Sequence, residues 1–190
     1  MENNGGEVTY AKGAAHGGVP VGSVPANANA SAASPANASS CGRLSIVSTP
    51  IGNLGDITLR ALDRLREADV VLAEDTRVTR KLLSHHGIST PLERCDENVI
   101  AERTPDVVAR VEAGARIAFV SDAGTPGVSD PGMRLVQAVR AAQESGTDIE
   151  LEVVPGASAV LTALAGAGFT SQAFYFGGFL PRKAGEKRRL

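Results

Sequence analysis

The sequence predicts an α/β fold, a mostly parallel sheet flanked by helices, and three observations carry that prediction. Short apolar runs bounded by turn-forming residues recur from residue 44 onward. Segments with apolar residues at helical spacing alternate with them, and the strand-to-helix connections are rich in glycine and proline. Strands and helices that alternate at this rhythm build a sheet covered on both faces.

The elements follow in order. Residues 44–48 read as a strand and 49–55 as a Pro/Gly loop. Asp56 is placed to cap a helix to about residue 68, with Ile57, Leu59, Leu62 and Leu65 near helical spacing. Residues 69–73 form a second apolar strand, and a helix over 76–86 stops at Gly87, a fitting residue just past a helix end. Thr104 caps a helix with Pro105 in its first turn and Gly114 at its end. Residues 116–121 are a strand, 132–144 a helix and 149–154 another strand. Pro155 and Gly156 lead into an alanine-rich helix to about residue 167, and 173–179 is expected to be a further strand.

Composition narrows the function classes. The 190 residues are 43% hydrophobic and 21% charged, ordinary for a globular protein. No run of about 18 apolar residues exists, so no membrane partner is expected. The net charge of -2 advertises no global field for nucleic acid, which leaves that argument to local clusters. Cys41 and Cys95 fit neither a disulfide framework nor a zinc site, and a reducing cytoplasm is the natural compartment. The first residues lack the basic start and apolar core of a secretory signal.

Three domains are expected. Residues 1–42, built mostly from Ala, Gly, Ser, Asn, Pro and Val, are a low-complexity extension expected to be disordered. Residues 43–154 are an α/β domain. Residues 155–190 are the start of a second, incomplete α/β domain, whose strand 173–179 would present an unpaired apolar edge. A fragment that short has little core, so the isolated chain is expected to be unstable and nearly inactive.

In parallel sheets ligands sit beyond the carboxyl ends of the strands, so the loops there carry the chemistry. Loop one is Thr49-Pro-Ile-Gly-Asn-Leu-Gly-Asp56. Its glycines allow close backbone approach to a ligand, though it also reads as a tight strand-to-helix turn. Loop two spans residues 121–132 with three glycines, two prolines and two aspartates, longer than the about 2–6 residues usual for such a connection. Asp122 or Asp130 could instead cap the next helix. In loop three, residues 154–159, Ser158 serves as a helix cap or as a ligand contact.

Taken together these segments resemble a known family. Thr-Pro-Ile-Gly-Asn-Leu-Gly-Asp, then Ala-Glu-Asp-Thr-Arg, Ser-Asp-Ala-Gly-Thr-Pro, Ser-Asp-Pro-Gly, Pro-Gly-Ala-Ser-Ala and Gly-Phe-Leu-Pro-Arg-Lys occur in order over residues 43–190. They are similar to the tetrapyrrole-methylase superfamily, and within it to the branch that methylates small-subunit ribosomal RNA. The resemblance implies two α/β domains with S-adenosyl-L-methionine in the cleft between them. It implies 2′-O-methylation of a cytidine ribose in small-subunit (16S) ribosomal RNA, a homodimer and no metal. Many superfamily members carry Gly-Asp-Pro where this chain has Gly124-Thr125-Pro126, which suits the RNA branch over a tetrapyrrole substrate. By motif match the cofactor-binding residues are Leu54, Gly124, Thr125, Val128, Ser158 and Ala159. Pro50, Asp122, Ala123, Pro155 and Gly156 in the same turns complete the candidate set.

A ribose hydroxyl is a poor nucleophile, so a base near neutral pKa should help by roughly 10²–10⁴-fold. Glu74 and Asp75, adjacent at a strand end, are the candidate catalytic residues, and mutual repulsion could raise one pKa. Helix capping, or pairing with Arg77 and Arg80, is the plainer role. RNA phosphates could be met by Arg77, Arg80 and Lys81 on one helix and by Arg182, Lys183, Arg188 and Arg189 near the end, although the first cluster also reads as a solvated face. His85 and His86 leave one helix on different sides, which argues against a shared metal ion. Two further functions stay open: a tetrapyrrole methylase, and a non-enzymatic RNA-binding remnant.

Overall fold

A computed structural model describes residues 41–127, 130–168, 173–180 and 185. Five parallel strands form one sheet: β1 (Gly42–Val47), β2 (Val70–Ala73), β3 (Leu92–Arg94), β4 (Arg116–Val120) and β5 (Ile149–Val154). Their order across the sheet is β3-β2-β4-β1-β5. Five helices alternate with them: α1 (Leu59–Glu67), α2 (Thr76–His85), α3 (Ile100–Glu112), α4 (Met133–Glu144) and α5 (Ala159–Ala167).

Side chains alternate across each strand and so feed two separate cores. Leu44, Ile46, Ile117 and Phe119 face α3 and α4, where Val107, Val111, Leu135 and Val139 meet them. Val47, Val71, Ala118 and Val120 face the other way, against Leu62 and Leu65 of α1 and Leu83 of α2. Strands buried on both faces read as continuous apolar runs, which is why β2 and β4 are legible in the sequence.

Several expected boundaries move. Asp56 does not cap α1: the Asn53 side chain accepts the Gly55 N–H at 3.0 Å and winds residues 54–56 into a 3-10 turn. Thr58 is the cap, accepting the Ala61 N–H at 3.1 Å. Nor does Thr104 begin a helix. The Asp96 carboxylate accepts the Asn98 N–H at 3.1 Å, and α3 starts at Ile100, so Thr104 lies inside it and donates to the Ile100 carbonyl at 2.6 Å. Pro105 is thereby an interior residue of the helix. The sequence reading omitted β3, a three-residue edge strand with two charged residues and no apolar run. Residues 173–179 form no strand, and a strand needs a neighbour's backbone to pair with. Among the described residues no helix is long and apolar enough to cross a membrane.

The topology fixes where a ligand can enter. From β1 the chain crosses by α1 toward β2 and β3; from β4 it crosses by α4, on the opposite face, toward β5. The adjacent strands β1 and β4 therefore send their connections apart, and a crevice opens beyond their carboxyl ends.

Candidate active site

That crevice is where loops one and two meet. The Thr49 N–H donates to the Gly124 carbonyl at 2.9 Å, and the Gly124 N–H donates back to the Thr49 carbonyl at 3.0 Å. Gly124 adopts φ +81°, a conformation that favours glycine, to make this pair. Loop three closes onto the same point. The Ser48 hydroxyl donates to Thr125 Oγ1 at 3.0 Å, and the Thr125 hydroxyl donates to the Ala157 carbonyl at 3.2 Å. Gly156 lies so near that a Cβ there would stand 2.7 Å from Ser48 Cβ. The three loops are thus brought together at one end of the sheet.

Beside the junction is a cavity of about 70 Å³ lined by Thr49, Pro50, Leu54, Val78, Thr79, Leu82, Ser121 and Asp122. Among the sequence candidates, Pro50, Leu54 and Asp122 line it, while Gly124, Thr125 and Gly156 hold the loops together. Ala123 and Pro155 are exposed in the same turns, and Ser158 and Ala159 open α5. The Ser158 hydroxyl acts as its cap, accepting the Leu161 N–H at 3.5 Å. Val128 lies outside the described residues. The Ser121 hydroxyl is buried without a hydrogen-bond partner among the described residues, a costly condition that a ligand or water can relieve. Sequence reasoning passed over Ser48 and Ser121 because small hydroxyl residues at strand ends carry no pattern of their own.

The carboxylates separate into distinct roles. Asp75 caps α2, accepting the Arg77 N–H at 2.8 Å, and receives the Arg77 guanidinium at 2.7 Å. Those hydrogen bonds hold it down at about 2. Glu74 moves the other way. Burial pushes its carboxyl above the usual range, and Asp122 adds repulsion, followed by Asp130 and Asp96. A backbone hydrogen bond from Asp122 works against this without reversing it. Asp122 accepts the Asp75 N–H at 3.0 Å, tying loop two to the tip of β2. Asp130 braces its own loop, accepting from the Gly127 N–H at 2.6 Å and the Gly132 N–H at 2.9 Å.

The outer face of α2 carries the charge cluster. Thr76, Arg77, Arg80, Lys81 and Ser84 line an open depression of about 470 Å³. At the end of that helix His86 Nε2 lies 3.2 Å from the Leu54 carbonyl, a contact between α2 and loop one. Arg182, Lys183, Arg188 and Arg189 lie outside the described residues.

The family model for Tetrapyrrole (Corrin/Porphyrin) Methylases matches residues 43–189. The chain belongs to the tetrapyrrole methylase family. Curated relatives are named ribosomal RNA small subunit methyltransferase I. The protein of that name from Neisseria meningitidis serogroup A is 48% identical over 151 residues, covering 78% of this chain and 50% of the relative. The one from Pseudomonas aeruginosa is 48% identical, covering 78% and 51%. The chain therefore spans about half the length of these methylases. Among solved structures, the uroporphyrin-III-C-methyltransferase from Thermus thermophilus aligns with a TM-score of 0.52 at 28% identity, covering 67% of this chain and 53% of that one. The five-stranded parallel sheet with its flanking helices is thus the fold of this methylase family.

Proposed function

We propose that the protein to which this chain belongs transfers the methyl group of S-adenosyl-L-methionine to the 2′-oxygen of a cytidine ribose in small-subunit ribosomal RNA. The observation that carries the reading is the junction of three loops at the β1–β4 crevice, in a chain whose relatives bear the name of that rRNA methylase. The residues fit part of such a cofactor. A cavity of about 70 Å³ is well below the about 300–1,000 Å³ of whole ligand sites. It would house one portion, near the unpartnered Ser121 hydroxyl, while the rest would lie across the junction of loops two and three. Pro50, Leu54, Asp122, Ala123, Gly124, Thr125, Val128, Pro155, Gly156, Ser158 and Ala159 are the residues proposed to hold it.

The bound cofactor supplies an already activated sulfonium methyl. The protein's task is to orient the ribose oxygen in line with that carbon, which can contribute about 7–11 kcal/mol. Glu74 is proposed as the base that accepts the hydroxyl proton: a carboxyl raised by burial is better matched to that transfer than one held low. Asp75, engaged by Arg77, is assigned a positioning role. Arg77, Arg80 and Lys81, with Arg182, Lys183, Arg188 and Arg189, are proposed to meet RNA phosphates.

The same reading makes residues 43–154 one α/β domain and 155–190 the beginning of a second. Exposed apolar side chains on and after α5 support it, since Leu161, Phe174 and Phe179 lack cover. It also includes the small ribosomal subunit as partner, a homodimer and a cytoplasmic location. The test uses the full-length protein, labelled S-adenosyl-L-methionine and small ribosomal subunits from cells lacking the modification. Label recovered on a cytidine ribose is the expected result. Label on tetrapyrrole intermediates instead, or salt-sensitive RNA binding without transfer, would sink the proposal.

A further inference from the structure

The Ser48 and Thr125 hydroxyls form a two-step relay that ends on the Ala157 carbonyl, and we infer that this relay sets the opening between loops two and three. This makes Ser48 a positioning residue for cofactor binding, an inference that rests on the reading of the three loops as the S-adenosyl-L-methionine site.

Ser48 directly follows the first strand and meets both loop two and loop three. Its backbone N–H donates to the Val154 carbonyl at 3.2 Å, extending the β1–β5 pairing to the start of loop three. The residue is only 2% exposed. A Cβ at Gly156 would stand 2.7 Å from the Ser48 methylene, leaving no room for a side chain at position 156. A hydroxyl has one proton to donate and lone pairs to accept with. Ser48 spends its proton on Thr125, and Thr125 spends its own on Ala157. The direction of the relay is fixed because the last acceptor is a carbonyl, which cannot donate.

Two consequences follow. Thr125 has no proton left for a ligand, so its contribution to cofactor binding runs through its backbone and through the placement of loop three. Ser48, though it need not touch the cofactor, controls the same placement by orienting the Thr125 hydroxyl. Loss of either hydroxyl loosens one shared contact, so the two losses should not add.

The experiment measures S-adenosyl-L-methionine binding to the full-length protein by calorimetry, alongside the thermal midpoint of each apo variant. Thr125→Val keeps the shape and leaves the Ala157 carbonyl without its partner; it should raise Kd by about tenfold, and Ser48→Ala by about threefold. The double variant should bind no more weakly than Thr125→Val alone, because the relay is serial. Thr125→Ser, which retains the hydroxyl, should restore Kd to within about twofold, a rescue that a purely steric role of Thr125 would not give. In turnover the loss should appear in KM for the cofactor with kcat held. If Thr125→Val does not fold, Ser48→Ala decides, since it removes one buried oxygen and keeps the Cβ beside Gly156. Unchanged Kd in Ser48→Ala and Thr125→Val, or fully additive losses, would overturn the inference while leaving the cofactor reading intact. A wild-type protein that fails to bind the cofactor overturns that reading, and the inference with it.

Discussion

The β1–β4 junction and the β5–α5 margin lie on the same sheet yet are built in opposite ways. At the junction, loops are joined by paired backbone hydrogen bonds over a core that excludes water: Phe119 is fully buried, and a side chain at Gly132 would run into its ring. At the margin Val153 is 53% exposed, Leu161 60% and Tyr175 93%, and α5 buries no residue. The first region ties its loops together with hydrogen bonds made within the chain, the Ser121 hydroxyl being left without a partner among the described residues. The second presents apolar surface of the kind that marks an interface. The contrast teaches that half of the proposed cleft is self-sufficient, and it locates the half that needs cover.

The largest expected effect is chemical and falls on the rim of the self-sufficient half. Glu74→Gln should lower kcat by roughly 10²–10⁴-fold in the full-length protein, with cofactor affinity retained. Asp75→Asn, at a residue already engaged by Arg77, should cost far less in kcat. Equal losses from the two would erase the distinction drawn between these neighbours.

Next comes a direct trial of the contrast by stability. Phe119→Ala should destabilise by about 3–5 kcal/mol in urea denaturation, whatever the length of the protein. Leu161→Ala should cost under about 0.5 kcal/mol in a protein comprising residues 41–190. In the full-length protein it should cost about 2 kcal/mol or more, because the proposed second domain covers it. A Leu161 cost that stays small at both lengths would mean that α5 faces solvent throughout.

How far such contrasts can be read from sequence depends on the range of the forces involved. The alternation of strands and helices was legible because β2 and β4, buried on both faces, are plain apolar runs. The three loops were legible because glycines and prolines mark sharp turns at strand ends. Short-range competition hid the caps: Asp56 and Thr58 are both good cap residues two positions apart, and the Asn53 turn decides between them. β3 was hidden because a strand of three residues exists through pairing with β2 rather than through its own pattern. Residues 174–179 show the converse, an apolar run that forms no strand. Glu74 and Asp75 could not be ranked at all. Their difference is made first by the burial of Glu74, then by Asp122, 47 residues from Asp75 along the chain, and by the turn that hands Arg77 to Asp75.

A smaller effect should appear on α2, a third kind of surface that is exposed and charged. Replacing Arg80 and Lys81 together by alanine should leave cofactor affinity unchanged and weaken ribosomal RNA binding at every sequence alike. The slope of log K against log salt should become shallower by about 1.5, the loss of two phosphate contacts. An unaltered slope would return this face to the role of a solvated helix surface.

The smallest effect again concerns Glu74, now as a matter of stability. Its folded pKa is raised by burial and by Asp122, so ionisation opposes folding. Below the ordinary glutamate pKa the group is protonated in both folded and unfolded chains, and the wild type bears no penalty. As pH rises from there through the folded pKa, the unfolded chain ionises first and stability is lost. Glu74→Gln cannot ionise and should escape that loss. The variant should match the wild type at low pH and exceed it in urea midpoint near neutrality, while being the least active of the set. Asp75→Asn should behave with the opposite sign. Asp75 is held at about 2 by Arg77, so it contributes stability above its ordinary pKa that fades as pH falls toward 2. Its amide variant should be the less stable protein at neutral pH. A rim that gains stability when its base is removed would be a site whose strain serves chemistry rather than folding, in contrast to the junction beneath it.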